Sequence, residues 1–462
     1  MTEWYTNSTH NPVNYWPLDY PPVSGYYSFL LGSIFNQIIP DSVKLKESWG
    51  YESAIHKSCM RISVILSDVV FYHVPIYLLL HSLFISNKKK YSDYINYYIS
   101  TFLFLCSPVL IIIDHGHFQY NSVMNGLFIL AVYFLYKKYF IFAILSFAIC
   151  INFKQMGLYY ALPFPIYVLK YLLEDIRNYE NKITGFAILV LSIVKYAVYT
   201  ILFIILIWSP WIIYDNKYRD VLSRIFPIWR GIFEDKVATF WCTLNIIYKI
   251  KNISHHNLVI ISFAITFVLS LSSCLALILY RKVSKKITNI VFFNVSMSFF
   301  LFSFHVHEKT ILLPFLAYLL NFNKIPEILS SFSVISLFSL HPLLKRENQM
   351  IPYFSFLLFT WITTRWLMDC LLLKIKTNIN KNFTEIKLNK LSKILEKLNF
   401  IVIILYHYME FTSPPPDKYP WLYPTLNAAF SFMNFSFFFL FSNYKLINLM
   451  IENKRNDSKK LN

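Results

Sequence analysis

The chain has 462 residues, of which 56% are hydrophobic and 15% charged, with a mean hydropathy of +0.46. A soluble chain of this length would carry about a quarter charged residues, so the composition excludes a water-soluble globular enzyme and indicates an all-α polytopic membrane protein. The net charge of +18 does not point to nucleic acid, because the lysines lie in short loops between apolar runs and no RNA-binding signature occurs.

Residues 1–60 are aromatic and polar rather than membrane-like, and read as a lumenal first-loop segment. At their centre, Trp16-Pro-Leu-Asp19-Tyr20-Pro-Pro22 sets an extended or turning backbone. Ser24–Ile39 is amphipathic enough to lie on a membrane surface. Asn7-Ser8-Thr9 is a glycosylation sequon, compatible with a lumenal side. The multi-span region is expected over 61–442. Its first span, Arg61–Ile85, ends at Lys88-Lys89-Lys90, which we read as cytoplasmic.

Tyr94–Ile113 returns to the lumen and delivers Asp114-His-Gly-His-Phe-Gln-Tyr-Asn121. Six of these eight side chains ionise or hydrogen-bond, which hydrocarbon does not tolerate outside a loop or cavity. Ser122–Tyr136 goes back to Lys137-Lys138. Phe140–Ile151 rises to Asn152-Phe-Lys154-Gln155, and Gly157–Leu173 descends to Glu174–Lys182. Ile183–Trp208 then rises into the longest polar insertion, 209–257. That insertion holds Arg224-Ile-Phe-Pro227 and Arg230-Gly-Ile-Phe-Glu234-Asp235-Lys236.

Leu258–Tyr280 descends to Arg281-Lys282, and Ile287–Phe304 rises to His305-Val-His307-Glu308-Lys309. Crossings near Thr310–Leu320, Ile328–Leu340 and Ile351–Leu373 reach a basic connector, 374–397. Its seven lysines, with Leu388, Leu391, Leu395 and Leu398 at helical spacing, read as a cytoplasmic interfacial helix for anionic headgroups. Asn399–Phe411 crosses once more, and Leu422–Phe441 returns to a basic tail, 443–462. The alternation gives roughly 13 crossings. It also places the loops at Asp114, Lys154, Arg230 and His305 on one side, the side opposite the lysine-rich loops.

That shared side carries Asp19, Asp114, Glu234, Asp235 and Glu308 as carboxylates. Its cations are Lys154, Arg224, Arg230, Lys236 and Lys309, and its histidines are His115, His117, His305 and His307. Acids and bases in equal supply at a membrane face suit transfer from a lipid phosphate. Cations would bind the phosphate and stabilise its charge as it leaves, while a carboxylate takes the proton of an attacking hydroxyl. The two His-x-His pairs could also form a four-histidine metal site, although Gly116 and Lys309 suit anion contacts better. No Cys-x-x-Cys pair or glycine-rich phosphate loop occurs among six cysteines and eight glycines, so no metal and no cofactor is expected. The bland readings are a solvated loop for Glu234–Lys236, a snorkelling anchor for Lys154, helix–helix pairing for Asp68, Arg365 and Asp369, and an interfacial belt for the aromatics around Asp19.

Seven stretches together resemble one family. They are Trp16–Pro22, Gly50-Tyr-Glu-Ser53, Asp114–Met124, Phe153-Lys-Gln-Met156 with Leu158-Tyr-Tyr-Ala161, Arg224–Pro227, Arg230–Ala238 with Phe240-Trp-Cys242, and His305–Lys309. The likeness is to the endoplasmic-reticulum glucosyltransferases that use dolichyl-phosphate glucose, and within them to the first-glucose group. It runs from about Trp4 to Pro415–Pro420. The sister group, which adds the second glucose, is similar but less so.

The resemblance implies a GT-C fold in the endoplasmic-reticulum membrane, with its active site facing the lumen. It implies metal-independent, inverting transfer of glucose from dolichyl-phosphate glucose to the terminal mannose of a dolichyl-diphosphate-linked oligosaccharide. His307 and Lys309 would hold the donor phosphate, with Arg230 and Lys154 as further candidates. Asp114, His115, His117, Gln119, Tyr120 and Asn121 would shape the sugar cavity, with Tyr20, Gln155, Glu234, Asp235, Lys236, His305 and Glu308 also lining it. In that family a transmembrane helix and a lumenal Gly-Asp-(Phe/Tyr)-Glu-Ala-Gln-Arg-His-Trp motif, whose Asp is the expected base, precede the Trp-Pro-Leu-Asp stretch. Neither is found here, which makes Asp19 the fallback base and leads us to expect that the natural protein extends upstream. The rivals are a transporter or lipid carrier using the same cavity, and a non-catalytic binding protein.

Overall fold

The computed structural model describes residues 4–5, 18–86, 91–214, 218–233, 235–280, 282–376 and 383–461. Among these the regular structure is helical, with one isolated parallel bridge between Phe233 and Val306. In chain order the main helices are α1 (Pro22–Ile38), α2 (Ala54–Ile85), α3 (Tyr91–Gly116), α4 (Asn121–Tyr136), α5 (Phe140–Phe153) and α6 (Pro163–Asp175). There follow α7 (Lys182–Ile213), α8 (Tyr218–Ile225), α9 (Phe240–Ile247), α10 (His255–Leu279) and α11 (Lys285–Phe302). The last are α12 (Leu312–Leu319), α13 (Pro326–Arg346), α14 (Met350–Lys376), α15 (Phe383–Thr412) and α16 (Leu422–Leu461). Six of them, α2, α3, α7, α10, α13 and the Leu422–Glu452 part of α16, are long and apolar enough to cross a bilayer. Helices α4 and α5 are apolar but only 16 and 14 residues long.

The chain divides into two compact units. The first takes residues 1–101, 118–158 and 171–229; the second takes 102–117, 159–170 and 230–462. In the first unit α4 and α5 form a short hairpin, and α2 lies against α4. Gly126 makes that approach possible, because a methyl group there would fall 1.5 Å from the Phe71 carbonyl oxygen. Pro75, four residues after Phe71, has no amide hydrogen to give that carbonyl, and the helix widens into a π turn at Asp68–His73. Helix α7 stands at the other extreme: none of its most apolar window is buried, as a lipid-facing span requires.

In the second unit α13 is the central helix, with 94% of its apolar window buried. Phe332 packs edge-on against Phe293 and Phe438 at 5.4 and 5.5 Å and stacks on Phe315 at 5.9 Å. Buried Ser330, Ser331, Ser333 and Ser336 keep the helix slim enough for such close packing.

Two expectations change shape. From Phe383 on, the connector and the crossing after it share one helix, α15, while 377–382 lie outside the described residues; the basic tail prolongs α16. Arg365 and Asp369 pair with each other along α14 and reach Glu396 and Lys393 of α15, the helix–helix role expected of them. The amphipathic segment after Pro21 is α1. Pro22 opens it, and Phe29, Leu30, Ile34 and Ile38 are exposed along it.

Candidate functional site

The stretch Asp114–Asn121 is less of a loop than its composition suggests. Its first three residues close a π turn, Ile112–Gly116, at the end of α3, and Asp114 is buried there. Phe118 then takes a left-handed conformation at φ 62°, and Asn121 opens α4. The division between the two units falls between His117 and Phe118. The candidate residues therefore form two sets.

In the first unit the focus is Lys154. Helix α5 stops at Phe153, and Lys154 is extended at φ −140° and ψ 130°. Its ammonium is buried, donating to Asn121 Oδ1 at 2.7 Å and to Gln119 Oε1 at 3.0 Å. The Asn121 amide in turn donates to Gln119 Oε1 at 3.2 Å. The Tyr20 ring lies 5.1 Å from the ammonium, within cation–π range. Burial, with Asp19 beside it, pushes the Tyr20 phenol above its ordinary value, so it stays a neutral donor.

Gln155 ties this set to the first loop. Its amide donates to the Asp19 and Ile225 backbone carbonyls at 3.4 and 3.3 Å. Asp19 itself is half-buried. Tyr5 donates to the Tyr20 carbonyl at 2.7 Å, and Tyr120 meets Ser63 Oγ at 2.7 Å. Pro21 and Ile225, which flank the polar set, also line an apolar cavity of about 440 Å³ with Ile151, Leu158, Trp208 and Phe226. Lys154 is thus no snorkelling anchor: its charge points into protein, held by two amides.

In the second unit, the segments at Arg230 and His305 run side by side. His305 N donates to the Ile232 carbonyl at 2.8 Å, Phe233 bridges Val306, and His305 Nδ1 meets the Gly231 carbonyl at 2.9 Å. Trp241 secures the end of the pair by donating to the Phe302 carbonyl at 2.8 Å. Left-handed backbone at Asp235 and His305, φ 55° and 57°, turns both chains tightly. The His305 and His307 rings meet edge-on at 5.4 Å. Lys236 and Arg230 lie on the same stretch, partly exposed, and Lys309 follows Glu308 in a short 3-10 turn. Glu234 lies outside the described residues.

Two residues that sequence reasoning passed over organise this half. Arg346 donates one guanidinium nitrogen to Asp235 and the other to Glu308 Oε1, the latter at 2.8 Å. Glu347, the next residue, pairs with His117 Nδ1. The expected crossing order puts 341–350 on the side of His305–Lys309, but nothing in the sequence singles out which of those residues meet Asp235, Glu308 and His117. Burial pushes the Glu308 carboxyl above its ordinary value; Asp235 adds to this, while Arg346 opposes it. Arg346 thus engages the carboxylates of both Asp235 and Glu308.

A buried cation flanked by amides thus lies close to the residues of an apolar cavity. The chain matches the ALG6, ALG8 glycosyltransferase family over residues 1–441. It belongs to that family. It is 34% identical over 476 residues to dolichyl pyrophosphate Man9GlcNAc2 alpha-1,3-glucosyltransferase of Gallus gallus, covering 99% of this chain and 89% of the relative. The proteins of that name in Pongo abelii and Saccharomyces cerevisiae are each 35% identical, over 97% and 96% of this chain and 87% and 82% of their own lengths. This member of the ALG6, ALG8 family is accordingly a glycosyltransferase of the membrane-embedded kind, consistent with the six long apolar helices among the described residues.

Proposed function

We propose that this chain transfers glucose from dolichyl-phosphate glucose to the terminal mannose of a dolichyl-diphosphate-linked Man9GlcNAc2 oligosaccharide. The product linkage is α-1,3, formed with inversion. The relatives' names carry the acceptor, since all three act, by name, on dolichyl pyrophosphate Man9GlcNAc2. The observation in the structure that supports the reading is the apolar cavity adjoining the Lys154 set. A polyprenyl chain suits the cavity between Trp208, Ile225 and Phe226, and the phosphate it bears suits a buried ammonium.

The chemistry follows from the charges. The attacking mannose hydroxyl loses its proton to a carboxylate, the glucosyl C1–O bond to phosphate breaks, and the phosphate leaves with the bonding pair. His307 and Lys309 are assigned to that developing charge, with Arg230 and Lys154 as further candidates. Asp19 is the fallback base, and Asp114, His115, His117, Gln119, Tyr120 and Asn121 shape the sugar cavity. Asp235 and Glu308 act through Arg346 as positioning residues. The reading includes the GT-C architecture with roughly 13 crossings, an endoplasmic-reticulum location and a lumen-facing site.

The test is transfer by the purified protein in nanodiscs, with a short-chain dolichyl-phosphate glucose and a synthetic lipid-linked oligomannose acceptor. Mass spectrometry should find one added hexose, released by an α-1,3-specific glucosidase. Absence of product from a well-folded protein would overturn the proposal. Unchanged transfer by His307→Ala would overturn the phosphate assignment alone.

A further inference from the structure

Apart from the candidate site, one group of side chains in the second unit has the makings of a metal centre. His341, His407 and Glu410 each present one ligand atom, and these atoms lie within 4.8 Å of one another. His341 is at the end of α13, fully buried; His407 and Glu410 are one turn apart on α15. Glu410 Oε2 lies 3.3 Å from His341 Nε2 and 3.9 Å from His407 Nδ1. Ligands at about 2.0–2.1 Å from a tetrahedral Zn2+ are about 3.3–3.4 Å apart. One edge already has that length, the second needs to close by about half an ångström, and the third, between the two imidazoles, is within 4.8 Å and closes by rotation of the His407 ring.

The other ring nitrogens are committed elsewhere. The Tyr406 hydroxyl donates to the Tyr423 carbonyl at 3.2 Å, so its oxygen faces His341 Nδ1, 3.5 Å away, as an acceptor. In the tautomer that makes this contact a hydrogen bond, the His341 proton is on Nδ1 and Nε2 carries a bare lone pair. Nε2 has no hydrogen-bond partner although the ring is fully buried, and it faces a carboxylate oxygen. Two acceptors in that position repel unless a cation lies between them. His407 repeats the pattern: Nε2 meets the Tyr353 hydroxyl at 3.0 Å, and Nδ1 is turned to Glu410. A histidine whose second nitrogen is held by an outer partner is the usual arrangement of a metal ligand. Lys345, on Glu410 Oε1 at 2.8 Å, is half exposed and can turn to water.

We propose that His341 Nε2, His407 Nδ1 and Glu410 Oε2 bind one Zn2+-class ion that ties the end of α13 to α15. Two neutral imidazoles and a carboxylate are borderline ligands of the type that favours zinc. The role is structural. Five residues beyond His341 on the same helix, Arg346 holds Asp235 and Glu308, and the ion fixes the turn from which it does so.

The experiment uses full-length protein, freed of its affinity tag, stripped of metal and held in nanodiscs. Zn2+ titration should show one ion per chain and a melting temperature that rises with free Zn2+. Co2+ in its place should give the visible absorption of a low-coordinate site. Tyr353→Phe should weaken binding about 10–100-fold, and His407→Ala should abolish it. Glu410→Gln keeps shape while removing the charged ligand, so it carries the test if His407→Ala does not fold. No binding by folded wild-type protein, or equal affinity in Glu410→Gln, overturns the site. A proton shared by His341 and Glu410 is then the occupant of the gap.

Discussion

Lys154 and Asn121 meet at 2.7 Å across 33 residues of sequence, joining the end of one short apolar helix to the start of another. Both are nearly inaccessible to water. An ammonium so placed cannot be exchanged freely, because its loss takes a donor from two amide oxygens and removes the positive charge over the Tyr20 ring. Lys154→Ala should lower the transfer rate by about 10²–10³, the range for removing a preorganised charge stabiliser. Stability should fall by about 1–3 kcal/mol. Transfer rates and thermal unfolding of the same preparations separate the two effects, and a rate within about twofold of wild type would show that Lys154 holds only the fold.

Arg346 stands between a buried carboxylate and an exposed one. Glu308 is 8% exposed, whereas the Asp235 side chain is 48% exposed. Truncating Arg346 to Ala therefore costs mainly through Glu308, about 1–3 kcal/mol, below the range of a fully buried pair because Arg346 itself is half in water. The Asp235 contact is worth little by itself. Pairing Arg346→Ala with Glu308→Gln should recover part of that loss in a double-mutant cycle. Strict additivity would mean that the two residues do not interact.

The same carboxylate sets a pH dependence. Glu308 is held above its ordinary value of 4.5 by burial, so the folded protein binds its proton more tightly than the unfolded chain does. Stability from this group is complete below the unfolded value and is lost as pH rises through the folded one. Above that, the charged form sits in a site that disfavours it. Wild-type melting temperature, measured against pH from the acid side, should fall relative to Glu308→Gln over this window. Arg346→Ala should deepen the fall by removing the ion-pair partner that offsets burial. Parallel profiles for wild type and Glu308→Gln would falsify the assignment.

Much of this organisation can be read from hydropathy and charge alone, and the rest has identifiable physical causes. The membrane class is plain in the long apolar runs, and Gln119 and Asn121 stand out in a polar stretch between two of them, whereas Lys154 at a span end also reads as a snorkelling anchor. Burial could not be read from apolarity. Helix α7, the more apolar of the two, faces outward, while the less apolar α13 is the buried centre of its unit. Lipid rewards large apolar side chains on all sides, whereas close helix packing rewards the serines that lower α13's score. Arg346 and Glu347 were missed for a related reason. In sequence they close a basic turn, Lys345-Arg346-Glu347-Asn348, of the sort that normally faces water, and only the fold brings Asp235, Glu308 and His117 to them.

Gly126 offers the sharpest test of packing in the first unit. The contact that a methyl group would make there is with backbone, the Phe71 carbonyl at 1.5 Å, and its neighbours at 2.5 and 2.9 Å are backbone too. No rotamer change can relieve it, so α2 and α4 must part. Gly126→Ala should cost at least the 1–3 kcal/mol or so of ordinary overpacking, seen as loss of monodisperse protein after extraction. Gly32 is the control. It sits in α1, where a methyl group would have nothing within 4 Å of it, and there Ala should stabilise the helix by about 0.5–1 kcal/mol. If Gly126→Ala extracted and melted like Gly32→Ala, the two helices would not pack through that glycine.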